Sequence, residues 1–106
     1  MTPESLVARA MLAAVKRKGG IARKLEFAGR AGAPDYLVAV NNHVAFIELK
    51  SERGKLSDIQ RAEFSTLAKY GVKPIFVAFG ADNARTIIDN MASDDWASFC
   101  EVNQWR

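Results

Sequence analysis

Two short apolar runs joined by a pair of asparagines constrain the fold of this chain more than any other feature. Residues 36–40 and 44–47 are β-branched, aromatic and apolar, as strands require. Asn41 and Asn42 between them tolerate the positive φ angles of a tight two-residue turn. The pattern therefore predicts an antiparallel hairpin whose register is fixed by the length of its turn.

That register decides where two acidic residues lie. With a two-residue turn Val40 faces His43, and counting outward places Asp35 opposite Glu48, whereas a longer turn would weaken this geometry. Directly opposed like charges, with Cβ atoms about 4.5–5.5 Å apart, destabilise a sheet unless something such as a divalent cation neutralises them. The side-chain period of two adds Lys50 to the face of Glu48. Two carboxylates and a lysine so arranged can form a metal-dependent phosphodiesterase site.

The cysteine and histidine counts restrict the metal that such a site could hold. Cys100 is the one cysteine and His43 the one histidine, which excludes an internal disulfide framework and a cysteine- or histidine-rich zinc site. Any metal must then be held by oxygen atoms, which suit Mg²⁺ or Mn²⁺. We expect Cys100 to be a small buried hydrophobe and His43 a turn residue.

Length and composition are those of one soluble globular domain. The 106 residues are 49% hydrophobic and 25% charged. Because we find neither an apolar run long enough to span a membrane nor a leader-like N-terminus, we expect a cytoplasmic protein.

Positive charge is concentrated in the first half of the chain. Residues 1–55 carry ten Lys and Arg against five Asp and Glu, whereas residues 56–106 carry five against seven. A surface that tracks phosphates requires such charge, although solvated helix faces look similar. The candidate DNA-contacting residues are Arg9, Lys16, Arg17, Lys18, Arg23, Lys24, Arg30, Arg53 and Lys55.

The first helix is predicted from its cap and its apolar spacing. Thr2 and Pro3 are an N-cap followed by proline at the first helical position, and apolar residues then recur at helical intervals up to a glycine pair. Glu4 lies three and seven residues before Val7 and Met11, which predicts that it shares their inward side and can reach the site. Alternatively, it is a first-turn acid favoured by the helix dipole.

A second helix follows the polar loop 51–56. Ser57 and Gln60 fit a capping box, and the helix should run to Tyr70 before Gly71 ends it. Gln60 is then either the capping side chain or an amide that turns toward the site, and the sequence leaves both open.

Two further strands are predicted outside the hairpin. Residues 21–27 carry mixed polar side chains and favour an exposed edge strand, and two glycines in the loop 29–33 let backbone approach a ligand closely. Pro74 opens the apolar run 75–79, whose lack of alternation predicts a central strand buried on both faces.

The last part of the chain, residues 81–106, is predicted to be a helix from Asp82 followed by an aromatic tail. The tryptophans and phenylalanine of this tail need a partner surface, either the domain's own core or a second subunit. We favour core packing for Trp96 and Phe99 and leave Trp105 open.

Three motifs together resemble the virus-type replication-repair nuclease (VRR-NUC) family of the PD-(D/E)xK superfamily. They are the GAPD segment at 32–35, FIELK at 46–50 and LSDIQ at 56–60, with Glu4 in the first helix. The resemblance covers residues 4 to about 80. It implies an α/β, restriction-endonuclease-like core, in which a mixed β-sheet of about four strands is flanked by helices.

The activity implied by the resemblance is that of a Mg²⁺- or Mn²⁺-dependent DNA endonuclease. Stand-alone members of the family are typical of bacteria and phages and are often dimeric. One small domain offers one active site, whereas cutting both strands of a duplex or junction calls for two, which a symmetric dimer would supply. The resemblance and the aromatic tail both favour a homodimer, and we expect it to prefer branched DNA such as four-way junctions.

The resemblance also implies roles for individual residues. Asp35, Glu48 and the backbone carbonyl of Leu49 would hold the metal. Lys50 would orient or help deprotonate the attacking water, and Gln60 would position Lys50 or the phosphate. A further acid in the first helix, Glu4, would act through metal-bound water or a second ion.

Three competing functions are compatible with the sequence. The nearest is another nuclease of the same superfamily, of the resolvase or restriction type. A non-catalytic DNA-binding module that retains the fold is disfavoured by the intact set of two acids and a lysine. A scaffold or subunit-assembly protein that uses the aromatic tail would have no metal affinity and would bind DNA with weak salt dependence.

Overall fold

A computed structural model describes residues 2–106. Its elements are, in chain order, α1 (Pro3–Arg17), β1 (Ile21–Lys24), β2 (Tyr36–Val40), β3 (His43–Lys50), α2 (Asp58–Lys69), β4 (Ile75–Phe79), α3 (Ala81–Met91) and α4 (Trp96–Asn103). The strands form one sheet in the order β1-β2-β3-β4, antiparallel except for the parallel pair β3 and β4. This mixed four-stranded sheet with flanking helices is the predicted fold class.

The β2–β3 hairpin has the predicted turn and register. Asn41 and Asn42 have φ angles of 53° and 63°, as a two-residue hairpin turn requires. Val40 pairs with His43, and the pairing continues outward in step to Tyr36. One further step along both strands brings Asp35 opposite Glu48.

Alternation along β3 sends its side chains into two different layers. Ile47 and Leu49 join the larger core with buried residues of α1 and α3. Phe46 packs on the opposite face with Phe64 of α2. Because Glu48 lies two residues after Phe46 on the same strand, its side chain points to the same face of the sheet, the face covered by α2.

β4 lies at the edge of the sheet, so the prediction of a central strand is wrong. Both of its faces are nevertheless covered: Phe76 joins the larger core and Ile75 packs with Phe64. On its open side the backbone N–H of Trp105 donates to the carbonyl of Ile75 at 2.7 Å. The start of the apolar run is buried on both faces, as an edge strand in a parallel pair can also be, whereas Phe79 at its end is exposed.

β1 is shorter than the predicted strand 21–27. Its pairing with β2 ends where Lys24 meets Tyr36, after which the N–H of Leu25 still donates to the carbonyl of Asp35 at 2.8 Å. Beyond that bond the chain turns away into the loop that returns to β2. The edge position predicted for this strand is correct.

The aromatic tail packs on its own domain. Trp96 is buried, and its ring contacts Phe76 and Phe99, as predicted. Trp105 meets Phe64 edge-on, with ring centroids 5.6 Å apart.

Partial burial raises the pKa of the Cys100 thiol. Within residues 2–106 there is no helix of the length and hydropathy needed to cross a membrane.

Candidate active site

Asp35 is held in place by backbone on both sides. Its Oδ2 accepts a hydrogen bond from the N–H of Leu49 at 2.8 Å, and its carbonyl accepts one from Leu25. The preceding Pro34 is fully buried, which anchors the entry to β2. The Asp35 carboxylate is therefore fixed against β3, one residue away from Glu48.

Glu48 is a buried carboxylate with one uncommitted oxygen. The residue is 3% exposed, and its Oε2 lies 2.8 Å from Nε2 of Gln60 and 3.4 Å from Nζ of Lys50. Its Oε1 is buried and accepts no hydrogen bond from any residue in the described range 2–106. A buried acceptor without a partner is costly, so this oxygen is suited to a ligand.

The protonation of Glu48 reflects this environment. Burial, followed by the negative charge of Asp35, raises the pKa of Glu48 from its ordinary value of 4.5 to about 7. Lys50 and Gln60 act in the opposite direction through charge and hydrogen bonding. A cation beside the two carboxylates would lower this pKa, because it favours their ionised forms.

Gln60 takes both of the positions that the sequence left open. Its Oε1 accepts from the backbone N–H of Ser57 at 3.0 Å, while the Ser57 hydroxyl accepts from the N–H of Gln60, which completes the capping box. The other end of the same amide donates to Glu48. The start of α2 is thereby joined to the carboxylate.

The carbonyl of Leu49 points to the same side as Asp35. The N–H of Gly80 donates to the carbonyl of Lys50 at 2.9 Å, so the backbone of Lys50 faces β4. Polar backbone groups alternate along a strand, and the N–H and C=O of one extended residue share a side. Since the Leu49 N–H bonds to Asp35, its carbonyl also lies on that side.

The donors at this place fit Mg²⁺ or Mn²⁺. They are all oxygens: those of Asp35, the free Oε1 of Glu48 and the Leu49 carbonyl. No group of three or more Asp, Glu, His and Cys side chains suited to a metal occurs among residues 2–106. Mg²⁺ commonly binds one or two carboxylates and keeps several waters, so a two-carboxylate site suits it.

The loop between β1 and β2 is tied to α2 by an ion pair that the sequence did not predict. The Arg30 guanidinium bonds both oxygens of Glu63, at 2.8 and 3.2 Å, and Glu63 is only 6% exposed. Nearby, Gly32 has a φ of 95°, and an added Cβ would lie 3.1 Å from the carbonyl oxygen of Ile59. This pair fixes the loop that delivers Asp35 onto the helix that carries Gln60.

Glu4 lies at the start of α1, where Pro3, Leu6 and Val7 share a pocket with Ser51 just after β3, and its reach to the carboxylates stays a prediction. It is exposed in the first turn of α1, whereas Val7 and Met11 are buried, so the prediction that the three share an inward side is wrong. The helical period alone is ambiguous in a first turn, where no preceding turn covers the side chain. Its position agrees with the dipole-favoured alternative.

The predicted cations of α1 lie in the layer across the sheet from Glu48. Arg9, Lys16 and Arg17 are exposed on this helix. The last two occupy its final turn, near the turn end of the hairpin, where Gly20 packs against β2. The fold does not bring Lys16 and Arg17 to the carboxylates.

The remaining predicted cations are divided between the sheet edge and the loop after β3. Lys18 lies 3.8 Å from Asp89 of α3, and Arg23 donates to the adjacent Ala22 carbonyl. Lys24 is exposed on the edge strand β1. Arg53 and Lys55 are exposed in the loop that leaves β3 just after Lys50.

A mixed sheet that presents two acids and a lysine beneath a helix defines the nuclease fold of the PD-(D/E)xK superfamily. A solved VRR-NUC domain is similar to this chain with a TM-score of 0.74 and 31% identity, over 84% of this chain and 97% of that one. The chain belongs to the VRR-NUC family.

A second solved structure has the same fold. Hjc, a Holliday junction resolvase from the archaeal hyperthermophile Archaeoglobus fulgidus, is similar with a TM-score of 0.54 and 21% identity, over 72% of this chain and 67% of that one. No protein-family model and no curated protein matches the sequence.

Proposed function

We propose that this protein is a Mg²⁺- or Mn²⁺-dependent endonuclease that hydrolyses phosphodiester bonds in DNA. The observation that carries the proposal is the buried, unpartnered Oε1 of Glu48 on the strand opposite Asp35. Membership of the VRR-NUC family supports a nuclease, and the oxygen donors support the choice of metal. Such an enzyme would act in the cytoplasm of a bacterial cell, whether encoded by that cell or by a phage.

Asp35, Glu48 and the Leu49 carbonyl would hold the cation. When bound, it would lower the pKa of a coordinated water and neutralise charge on the phosphoryl oxygens. The other residues act around this centre. Gln60 orients the Glu48 carboxylate, and Lys50 adds positive charge where the transition state becomes more negative.

Lys50 is the candidate for orienting the attacking water. Its side chain is 14% exposed and lies on the same sheet face as Glu48, so it is sheltered but reachable by a phosphate. In hydrolysis the water oxygen attacks phosphorus in line while the bond to the leaving oxygen breaks. An ammonium group near that water favours its deprotonated form. The exposed Glu4 is a proposed participant only through intervening water or a second ion.

Branched DNA and a homodimer complete the proposal. Each chain carries one carboxylate pair, whereas cutting both strands of a junction requires two, which a symmetric dimer supplies. The fold shared with Hjc, named as a Holliday junction resolvase, supports the choice of substrate. The tail no longer supports the dimer, because Trp96 and Phe99 pack within the domain.

Cleavage of a panel of labelled DNAs tests this function. Wild type, Glu48→Ala and the surface control Glu101→Ala would each be incubated with duplex, single-stranded and four-way-junction DNA, with Mg²⁺, Mn²⁺ or EDTA. We expect metal-dependent cutting, preferred on the junction, that is lost in Glu48→Ala and kept in Glu101→Ala. Cutting by a folded Glu48→Ala protein would refute the site, and a monomeric mass by light scattering would refute the dimer.

A further inference from the structure

A groove of about 230 Å³ runs along β4 on the face covered by α2. Its apolar lining comes from Leu56, Val77, Phe79 and Trp105. Phe79 is 40% exposed and belongs to neither core cluster, so its ring is open to a ligand. The volume is below the range of about 300–1,000 Å³ that holds drug-sized ligands, which suits a group no larger than a single nucleobase.

The groove lies directly beside the proposed reaction centre. Val77 is the cross-strand partner of Glu48, and Phe79 is that of Lys50. Neighbouring strands are about 4.8 Å apart, so the groove begins one strand away from the carboxylate. On α2, Gln60 reaches toward Glu48 while the next residue, Arg61, lines the groove.

The charged residues of the groove are both cationic. Lys55 and Arg61 line it and are exposed, and no acidic residue lines it. Within the described chain neither cation takes part in an ion pair, in contrast to Arg30 and Arg85. Their charge is therefore available to an anion.

This combination has the composition of a site for unpaired nucleic acid. Such sites combine cations that follow the phosphates with aromatic rings on which bases stack. Phe79 and Trp105 supply the rings, and Lys55 and Arg61 supply the cations. A fully paired duplex would offer the groove only its backbone, because stacked bases cannot reach an aromatic floor.

We propose that this groove binds one unpaired nucleotide of the DNA strand, next to the phosphate at the reaction centre. The base would lie on the apolar floor, and its phosphate would lie between Lys55 and Arg61. The inference rests on the proposed nuclease function and deepens it. It makes a nucleotide that can leave its base pair beside the cut, as at the branch point of a junction, a determinant of substrate choice.

Binding without metal tests the groove separately from catalysis. Fluorescence anisotropy in EDTA would compare a fully paired duplex with the same duplex carrying a single-stranded extension. Wild type should bind the extended DNA about five- to tenfold more tightly than the paired duplex, the gain in affinity expected from stacking one base. Phe79→Ala and Arg61→Ala should abolish this preference, whereas Tyr70→Ala and Arg85→Ala, matched changes outside the groove, should keep it.

A fluorescence measurement of base stacking tests the aromatic floor of the groove separately from its cations Lys55 and Arg61. 2-Aminopurine placed as the first unpaired base should be quenched by wild type and Arg85→Ala but not by Phe79→Ala. Because Trp105 also packs on Phe64, Phe79 is the cleaner probe of the floor.

The outcomes separate this inference from the proposed function. Metal-dependent cleavage together with an unchanged DNA preference in Phe79→Ala and Arg61→Ala would overturn the groove and leave the nuclease standing. A lower molecular mass of Phe79→Ala by light scattering, with its DNA preference intact, would instead assign the groove to a subunit contact. Absence of cleavage by wild type would contradict the nuclease itself.

Discussion

The Gln60 amide donates to Oε2 of Glu48 at 2.8 Å while its other end caps α2. One side chain thus sets both the start of a helix and the orientation of a buried carboxylate. The start of α2 and the proposed metal site are therefore linked through this amide. The two roles can be separated by substitution because a glutamate can cap a helix but cannot donate from its charged form.

Gln60→Glu should preserve the fold and lose activity. Glutamate satisfies the capping box, but its carboxylate would face Glu48 and further favour the protonated form of that residue. We expect cleavage at neutral pH to fall by about tenfold or more, with little change in the free energy of unfolding. Ser57→Ala should do the reverse, losing about 1 kcal/mol of stability while keeping most activity. Equal losses of activity in both variants would show that Gln60 affects activity only through the helix cap and not through its hydrogen bond to Glu48.

The hairpin and the opposed positions of its two acids could be predicted because their determinants are local. Asn41 and Asn42 set the turn, the turn set the register, and the register placed Asp35 across from Glu48. The capping box was predictable for the same reason, since Ser57 lies three residues from its partner. Short-range constraints of this kind are written in consecutive residues.

Features that depend on distant contacts were not predictable. Arg30 and Glu63 are 33 positions apart, and nothing beside Arg30 in the sequence distinguishes a structural arginine from a DNA-binding one. The one signal was an acid on the inward face of α2, next to the buried Phe64. The edge position of β4 was missed because hydrophobicity reports burial and carries no information about strand order.

Arg30→Ala should weaken metal binding although Arg30 is outside the carboxylate pair. Loss of the two bonds to Glu63 leaves a buried carboxylate unpaired and loosens the loop that delivers Asp35. We expect Mn²⁺ affinity by calorimetry to fall by about tenfold, with Arg30→Lys intermediate, since lysine cannot form the two-pronged pair.

DNA binding in EDTA provides the contrasting measurement for Arg30. If this residue instead contacts a phosphate, Arg30→Ala should weaken DNA binding and reduce the salt slope by about one, with Mn²⁺ affinity unchanged. That result would make Arg30 a DNA-binding residue and would remove the positioning role of its pair with Glu63.

Lys50→Ala should separate metal binding from turnover. Lys50 is within 3.4 Å of Glu48 but supplies no metal-ligating atom from its side chain, so Mn²⁺ should still bind above neutral pH. Turnover should fall by about 10²–10³-fold, as when one group that stabilises transition-state charge is removed. Failure of calorimetry to detect Mn²⁺ binding in Lys50→Ala would contradict this division of roles.

Glu48→Gln should stabilise the metal-free protein in a pH-dependent way. Because the pKa of Glu48 is about 7 in the folded protein against an ordinary 4.5, the folded state binds more protons and loses stability as pH rises between these values. Above pH 7 the resulting loss in the free energy of unfolding is about 3 kcal/mol, which an uncharged glutamine avoids. Urea unfolding in EDTA should therefore show the variant more stable at about pH 8, with a gain below about 1 kcal/mol at pH 5.

Added Mn²⁺ should make wild type more stable than Glu48→Gln, the reverse of their order in EDTA. Mn²⁺ binding to ionised Glu48 should raise the melting temperature of wild type, because a ligand that binds only the folded state stabilises it. Glu48→Gln, which offers the cation an uncharged oxygen, should gain little. A variant that is less stable than wild type in EDTA at pH 8 would show that the buried charge is already compensated without metal.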